Sequence, residues 1–295
     1  MKRVLVIIVT YNGMRWLERC LSSVTGDASG AGTGKVHGGI GVDVFVADNA
    51  SSDGSAEFVE SRFPQAVLVR NTGNLGFSKA NNLGFRYAID NGFDYVYLLN
   101  QDAWLEDDAM EKLVAAAEKA PEYGVLSPMQ YYAGGEELDR EFAKWLRASP
   151  GRKGDGPVEV PFEMAAHWLV RVSAIKTTGP FNESLFPIYG QDNDWCNRLH
   201  YHGLKVGVVP AARAVHDRAG RQVSKEKAIF GNYYLGSLVR LCDIGRPLWE
   251  RFCFVCVFTV VKAIKYRSTE PFRYFVKICR QLPEVRETRR ESLSY

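Results

Sequence analysis

The chain opens with Arg3 to Val9 (RVLVIIV), a nearly unbroken run of β-branched residues, the pattern of a parallel strand covered on both faces. Trp16 to Val24 follows with apolar residues at helical spacing, and Val42 to Ala47 (VDVFVA) reads as a second strand ending at Asp48. Ser55 to Phe63 then has a helical pattern, Ala66 to Arg70 a strand pattern, Lys79 to Asn91 a helical one, and Tyr95 to Leu99 that of a fourth strand. This β-α alternation predicts an α/β doubly wound sheet whose ligands lie beyond the C-terminal ends of the strands. Further on, the pattern predicts a helix over Glu106 to Lys119 and an aperiodic stretch rich in Gly, Pro and charge from Tyr131 to Pro161. Phe162 to Val172 reads as extended, Asp194 to His202 as helical, and Lys205 to Val209 as a short strand leading to His216.

The last part of the chain has a different texture. Leu248 to Ala263 (LWERFCFVCVFTVVKA) is mostly apolar over about twelve residues, short of the roughly 20 needed to span a bilayer. Lys262, Lys265 and Arg267 flank it, among Phe252, Phe254, Phe258, Tyr266, Phe272, Tyr274 and Phe275. These features predict a helical appendage that either lies at a membrane interface or packs as a hairpin on the domain or in a homodimer. We place the boundary at 245/246. Net charge sharpens the contrast: from Arg246 to Tyr295 there are eleven Lys and Arg against five Glu, so the tail carries +6 in a chain of net +3. An excess confined to the tail points to an anionic partner, membrane phosphates or a phosphorylated acceptor, or else to a solvated basic face; it does not point to nucleic acid.

Two suggestive patterns fail on inspection. The Gly-rich stretch from Thr25 to Gly41 contains Gly34-Lys35, but Ser29 stands where a phosphate-binding loop needs its first Gly, and Val36 where Ser or Thr would hold magnesium. It reads as a flexible surface loop. Cys253 and Cys256 form a C-x-x-C pair inside an apolar run with no second pair and no nearby His, so they read as buried or lipid-facing thiols. The six cysteines show no framework spacing and no signal peptide precedes the first strand, which predicts a reducing, cytoplasmic setting.

Candidate chemistry gathers at the predicted strand ends. Thr10-Tyr11-Asn12 follows the first strand and Asp48-Asn49 the second. Together they can present an aromatic face and an acidic hydrogen-bond acceptor to a pyrimidine nucleoside, although each alone is also ordinary turn and N-cap chemistry. Asn100-Gln101-Asp102 interrupts the fourth strand; Asp102 could bind Mg2+ or Mn2+ bridging a diphosphate, or cap the next helix. Asp192 and Asp194 stand two apart at a helix start, where the dipole favours the carboxylate, so Asp192 is the candidate base toward an attacking hydroxyl. His216 could complete the metal shell as a neutral imidazole, or be structural.

Taken together, VIIVTYNG (6–13), VADNASSDGS (46–55), NTGNLGFSKANNLGF (71–85), YLLNQDAWL (97–105) and FPIYGQDNDWCNRLHYHG (186–203) resemble the inverting glycosyltransferase family 2, rhamnosyltransferase-like subgroup. The resemblance covers roughly Val4 to His216. It implies a GT-A-type, Rossmann-like mixed sheet flanked by helices. It also implies that Thr10, Tyr11, Asn12 and Asp48 hold the nucleoside of a dTDP- or UDP-linked sugar, while Asn74, Gly76, Asn81 and Asn100 line the donor site. Asp102 and His216 would be metal ligands for Mn2+ or Mg2+, and Asp192 the general base. Independently of the resemblance, Trp195, Arg198 and Asp194 in the same cluster are candidates for the acceptor or phosphate side, and Tyr131 to Pro161 for an acceptor-side loop region. The resemblance favours dTDP-rhamnose as donor, with UDP-linked sugars next; the basic aromatic tail would suit a saccharide or lipid-linked saccharide acceptor for cell-surface polysaccharide, handled at the inner face of the cell membrane. The family's D-x-D is Asn100-Gln101-Asp102 here, leaving one carboxylate, and its Glu-Asp pair is Gln191-Asp192. The rival classes are a nucleotidyltransferase, which carries a Gly-rich loop with Arg and Lys where Thr10-Tyr11-Asn12-Gly13 stands, and a degenerate binding scaffold.

Overall fold

The computed structural model describes residues 1–25, 35–37, 39–106, 108–147, 149, 156–218 and 225–295, with backbone alone for 35–37 and 225–228. The loop expectation for Thr25 to Gly41 thus falls largely outside the described residues.

Among the described residues, ten strands form one mixed sheet. In chain order they are β1 (Lys2–Thr10), β2 (Lys35–His37), β3 (Ile40–Asp48), β4 (Val67–Arg70), β5 (Tyr95–Asn100), β6 (Ala103–Leu105), β7 (Tyr123–Tyr131), β8 (Val158–Val160), β9 (His167–Arg171) and β10 (Lys205–His216). The spatial order is β2-β3-β1-β5-β9-β7-β10-β6, with β4 beside β3 and β8 beside β10. β4, β3, β1 and β5 run parallel, as the alternation predicts, while β9 inserts antiparallel between β5 and β7. The register places Thr10 opposite Asp48 and Val9 opposite Asn100, so the polar ends of β1, β3 and β5 line up at one edge.

Eleven helices among the described residues accompany the sheet: α1 (Met14–Thr25), α2 (Ser55–Arg62), α3 (Gly76–Asp90), α4 (Ala109–Lys119), α5 (Arg140–Arg147), α6 (Val172–Thr178), α7 (Gln191–Tyr201), α8 (Lys225–Cys242), α9 (Leu248–Tyr266), α10 (Glu270–Arg280) and α11 (Leu282–Ser292). The period-2 pleat of β1 divides the core. Val4, Val6 and Ile8 pack with Leu17 and Leu21 of α1 and Leu113 of α4, whereas Leu5 and Ile7 pack with Ala80 and Phe85 of α3 and Trp195 of α7. Both faces are covered, which is why the run is continuously apolar.

Several elements depart from the sequence pattern. The supposed loop from Tyr131 to Pro161 holds α5 and β8. Asp139 starts α5, its Oδ1 accepting the backbone N–H of Glu141 (2.9 Å) and Phe142 (3.1 Å). Val172 begins a helix rather than ending a strand. β10 does not stop at Val209; it continues through Pro210 to His216, with the missing proline N–H absorbed at a register shift between Val209 and Arg213. Helices α8 to α11 form a third core of Tyr233, Leu238, Leu241, Val255, Ile278 and Val285, so the helical layer begins before residue 246. This core also takes in Leu185 and Phe186, binding the appendage to the loop that precedes α7.

Candidate active site

The end of β1 is held by the turn after β5. Thr10 is fully buried and its hydroxyl donates to Gln101 Oε1 (2.8 Å), which also accepts the Tyr11 N–H (2.9 Å). A Cβ at Gly13 would sit 2.4 Å from that same Oε1, so this approach requires glycine. Asn12 adopts a left-handed backbone (φ 51°), donates its N–H to Ser51 Oγ (2.9 Å) and accepts the Ser52 N–H (2.9 Å). Thr10 and Asn12 therefore fasten loops, and Tyr11 is left exposed at the rim. Asp48 is buried; its Oδ2 accepts the Ser51 N–H (3.1 Å), and its Oδ1 has no hydrogen-bond partner. An orphaned buried acceptor at a strand end is the feature an N–H of a bound base would satisfy.

The neighbouring wall is an asparagine network. Asn49 Nδ2 donates to Asn74 Oδ1 (3.3 Å) and the Gly76 carbonyl (3.2 Å), while Asn74 Oδ1 accepts the Gly76 N–H (2.9 Å). Gly76 sits at φ 76°, where a Cβ would lie 2.5 Å from the Pro187 carbonyl oxygen. Ser78 joins the same two segments, through its N–H to the Pro187 carbonyl (3.1 Å) and its hydroxyl to the Phe186 carbonyl. Asn81 does not reach this wall. It is buried, and its side chain donates to the Phe77 carbonyl one turn back (2.9 Å).

β6 pairs antiparallel with β10, His216 opposite Ala103. Asp102 is thereby a turn residue between β5 and β6 rather than a helix cap, and its Oδ1 lies 3.4 Å from His216 Nε2. Both are 3% exposed, and neither ring nitrogen of His216 makes a hydrogen bond. A buried imidazole with no hydrogen-bond partner beside a carboxylate suits a divalent cation. Among the described residues there is no group of three His, Cys, Asp or Glu for an all-protein cage. A two-residue set would leave the other positions to phosphate oxygens and water. Behind it, buried His167 is kept neutral: burial first, then the His216 ring, pushes it down to about 3. Its Nε2 faces the Val215 carbonyl (3.1 Å), which can only accept, so Nδ1 accepts from the Tyr97 hydroxyl (2.9 Å).

The facing wall comes from the N-terminus of α7 and the segment before β9. Asp192 Oδ1 accepts the Asn193 N–H (2.9 Å) and side-chain amide (3.3 Å). Burial nonetheless pushes the Asp192 carboxyl up from the usual aspartate value, against the helix N-terminus that favours its charge. Desolvation outweighs the hydrogen bonds from Asn193 that favour the charged form. Next to it, burial pushes Glu163 well above the usual carboxylate range; its Oε1 accepts the Met164 N–H (2.8 Å). Arg218 grips buried Asp139 with both ends of its guanidinium (2.5 Å each). Burial disfavours the Asp139 charge, but Arg218 holds that carboxyl below its ordinary value.

One cleft of about 430 Å³ is lined by Tyr11, Asn49, Asn74, Gly76, Asn100, Asp102, Tyr189, Asp192, His216 and Arg218. That size suits a small organic ligand. A larger depression of about 680 Å³, lined by Arg19, Trp104, Glu106 and Arg213 among others, contains neither the Asp102–His216 pair nor Asp192, and we place the chemistry in the smaller one. Three acceptor-side candidates are not brought to the cleft. Trp195 is fully buried against Phe181 and Trp168 and donates to the Gly179 carbonyl (2.8 Å). Asp194 and Arg198 form a buried pair one helical turn apart (3.0 Å). They face inward because the helix turns 100° per residue, so Asp192 and Asp194 point to different sides. Sequence reasoning also missed Gln101, Asn49, Glu163, Asp139 and Arg218. Of these only Gln101 and Asn49 carried a signal, standing inside the recognised strand-end clusters.

Residues 5–179 match the model of glycosyl transferase family 2, and the chain belongs to that family. It is 28% identical over 279 residues, 83% of this chain and 86% of the relative, to the N-acetylglucosaminyl-diphospho-decaprenol L-rhamnosyltransferase of Mycobacterium tuberculosis, in both strain CDC 1551 / Oshkosh and strain H37Rv. Among solved structures it resembles residues 1–349 of S. aureus TarS (TM-score 0.58, 15% identity, 85% of this chain and 68% of that one). It also resembles GalNAc-T7 crystallised with UDP, GalNAc and Mn2+ (TM-score 0.55, 13% identity, 80% of this chain and 48% of that one). These likenesses show the GT-A fold.

Proposed function

We propose that this glycosyltransferase transfers rhamnose from dTDP-rhamnose, or failing that a sugar from UDP, to a hydroxyl of a saccharide or lipid-linked saccharide in cell-surface polysaccharide synthesis. It would act in the cytoplasm at the inner face of the membrane. The observation that carries the reading is one cleft lined by Asp102, His216 and Asp192, with the orphaned acceptor of Asp48 at the end of the neighbouring strand. The mycobacterial relative's rhamnosyl activity on a diphospho-decaprenol carrier supports the choice of donor and acceptor class.

In this mechanism Asp48 accepts an N–H of the nucleobase, Tyr11 offers its ring at the rim, and Asn74 and Gly76 border the donor. Asp192 takes the proton of the acceptor hydroxyl as the oxygen attacks the anomeric carbon. The bond from that carbon to the diphosphate oxygen breaks with its electron pair leaving on the diphosphate, and a single displacement inverts the centre. Asp102 and His216 would hold an Mn2+ or Mg2+ ion, which supplies charge to the leaving diphosphate. An Asp192 raised by burial is a better matched base near neutral pH than an ordinary aspartate.

The test is thermal stabilisation by dTDP-rhamnose and UDP-sugars, with and without Mn2+, followed by transfer to a lipid-linked saccharide. Saturation at about 100 times Kd adds about 2.7 kcal/mol. A shift with one nucleotide class and product from that donor supports the reading. No shift with any nucleotide returns weight to a degenerate scaffold.

A further inference from the structure

Helix α9 has two unlike faces. Val255 and Thr259 are buried in the helical core, while Trp249, Cys253, Val257, Val260 and Ile264 are exposed at intervals of three and four residues along the opposite side. Trp249 is 70% exposed, Val257 64% and Ile264 72%, and Phe254 and Val261 widen the stripe. A helix of 19 residues is about 28 Å long, so this is an apolar strip along one whole element rather than scattered residues. Phe272 and Val276 of the adjoining α10 are exposed as well.

The rim of the strip is cationic. Lys265, Arg267, Arg273 and Lys277 are exposed around it, and residues 246–280 hold eight Lys and Arg against two Glu. One of those, Glu270, is ion-paired with Arg273 (2.6 Å). The Lys262 ammonium lies 4.9 Å from the Phe258 ring centre and 5.5 Å from that of Tyr266. No described helix is long and apolar enough to cross a membrane.

We infer that this face of α9, with its basic rim on α10, docks the enzyme on the surface of an anionic lipid bilayer. A second copy of the chain fits less well, because a two-fold contact through the strip would bring two cationic rims together. A bilayer satisfies both features at once: acyl chains accept the strip and anionic headgroups the rim. The same layer reaches the cleft. Leu185 and Phe186 pack in one core with Val255 and Ile278, and a few residues on, Ile188 and Tyr189 line the cleft. The docking layer and that wall are thus one packed unit. The inference rests on the reading above for the lipid-linked acceptor, which such a surface would present.

The experiment uses the full chain with vesicles of phosphatidylcholine alone and mixed with phosphatidylglycerol. Expected is binding to the mixed vesicles that weakens with salt. Val257→Asp with Ile264→Asp should lower partitioning at least tenfold, and Lys265→Gln with Lys277→Gln roughly thirtyfold. Unchanged melting temperatures would show that the variants are folded, since all four positions are exposed. Wild type that ignores both vesicles, or variants that bind as well as wild type, would overturn the inference. So would strip variants that convert a dimer to a monomer while vesicle binding persists, since a second copy would then cover the face. Vesicle binding without any nucleotide-induced shift would count against the proposed transfer and leave the docking face standing.

Discussion

His216 Nε2 stands 3.4 Å from Asp102 Oδ1, both groups buried, because β6 and β10 pair with Ala103 opposite His216. The two residues come from distant parts of the sequence, and the imidazole has no hydrogen bond of its own. On the proposed reading this pair is where a divalent cation would bind.

Removing either partner should therefore act on ligand binding more than on folding. Asp102→Ala is expected to abolish the Mn2+-dependent part of the nucleotide thermal shift. His216→Ala should raise the Mn2+ concentration needed by at least about tenfold, the lower end of what disturbed metal surroundings cost. Titrating Mn2+ at fixed nucleotide checks both; an unchanged Mn2+ midpoint in both variants would remove the pair from the metal site.

Asp192 provides a pH signature. Burial raises its carboxyl above the ordinary aspartate value, so kcat/KM should fall with acid through that raised value rather than near 3.8. Because the folded state favours the proton, this group's stabilising contribution is full below the unfolded value and is lost as pH rises through the folded one. Asp192→Asn should accordingly lose about 10²–10⁴-fold in turnover while melting no lower than wild type at neutral pH. A pH–rate profile with nucleotide binding as control is the measurement.

Gly76→Ala tests how the donor wall is joined to the loop before α7. The backbone there is at φ 76° and a Cβ would lie 2.5 Å from the Pro187 oxygen. A loss of about 1–3 kcal/mol of stability is expected, with a higher donor KM because the Asn49–Asn74–Gly76 network shifts. Wild-type melting and KM together would show that the contact relaxes freely.

Asp194→Ala should behave as a core lesion. It would leave Arg198 buried without its carboxylate, at a cost of about 3–5 kcal/mol. Acceptor KM of the folded remainder should not change. A variant of wild-type stability with a raised acceptor KM would return Asp194 to the site.

The local part of this protein is legible in its sequence. The continuous run of β1, the helical spacing of Leu17, Cys20, Leu21 and Val24, and the polar clusters at Thr10, Asp48 and Asp102 are patterns of period and composition, which neighbouring residues set among themselves. Five motifs in order were enough for the family. What the tertiary structure alone decided depends on register and on which way a helix faces. Pairing of β6 with β10 brought His216 to Asp102, and Arg218 found Asp139 just before α5, an element with no clear period in the sequence. The rotation of α7 left Asp192 at the cleft and drove Asp194, Trp195 and Arg198 into the core. The exposure of the α9 strip also depended on which side the third core claimed. Residues far apart in sequence meet only once strands have paired and layers have packed, and that geometry carries no signature in a local window.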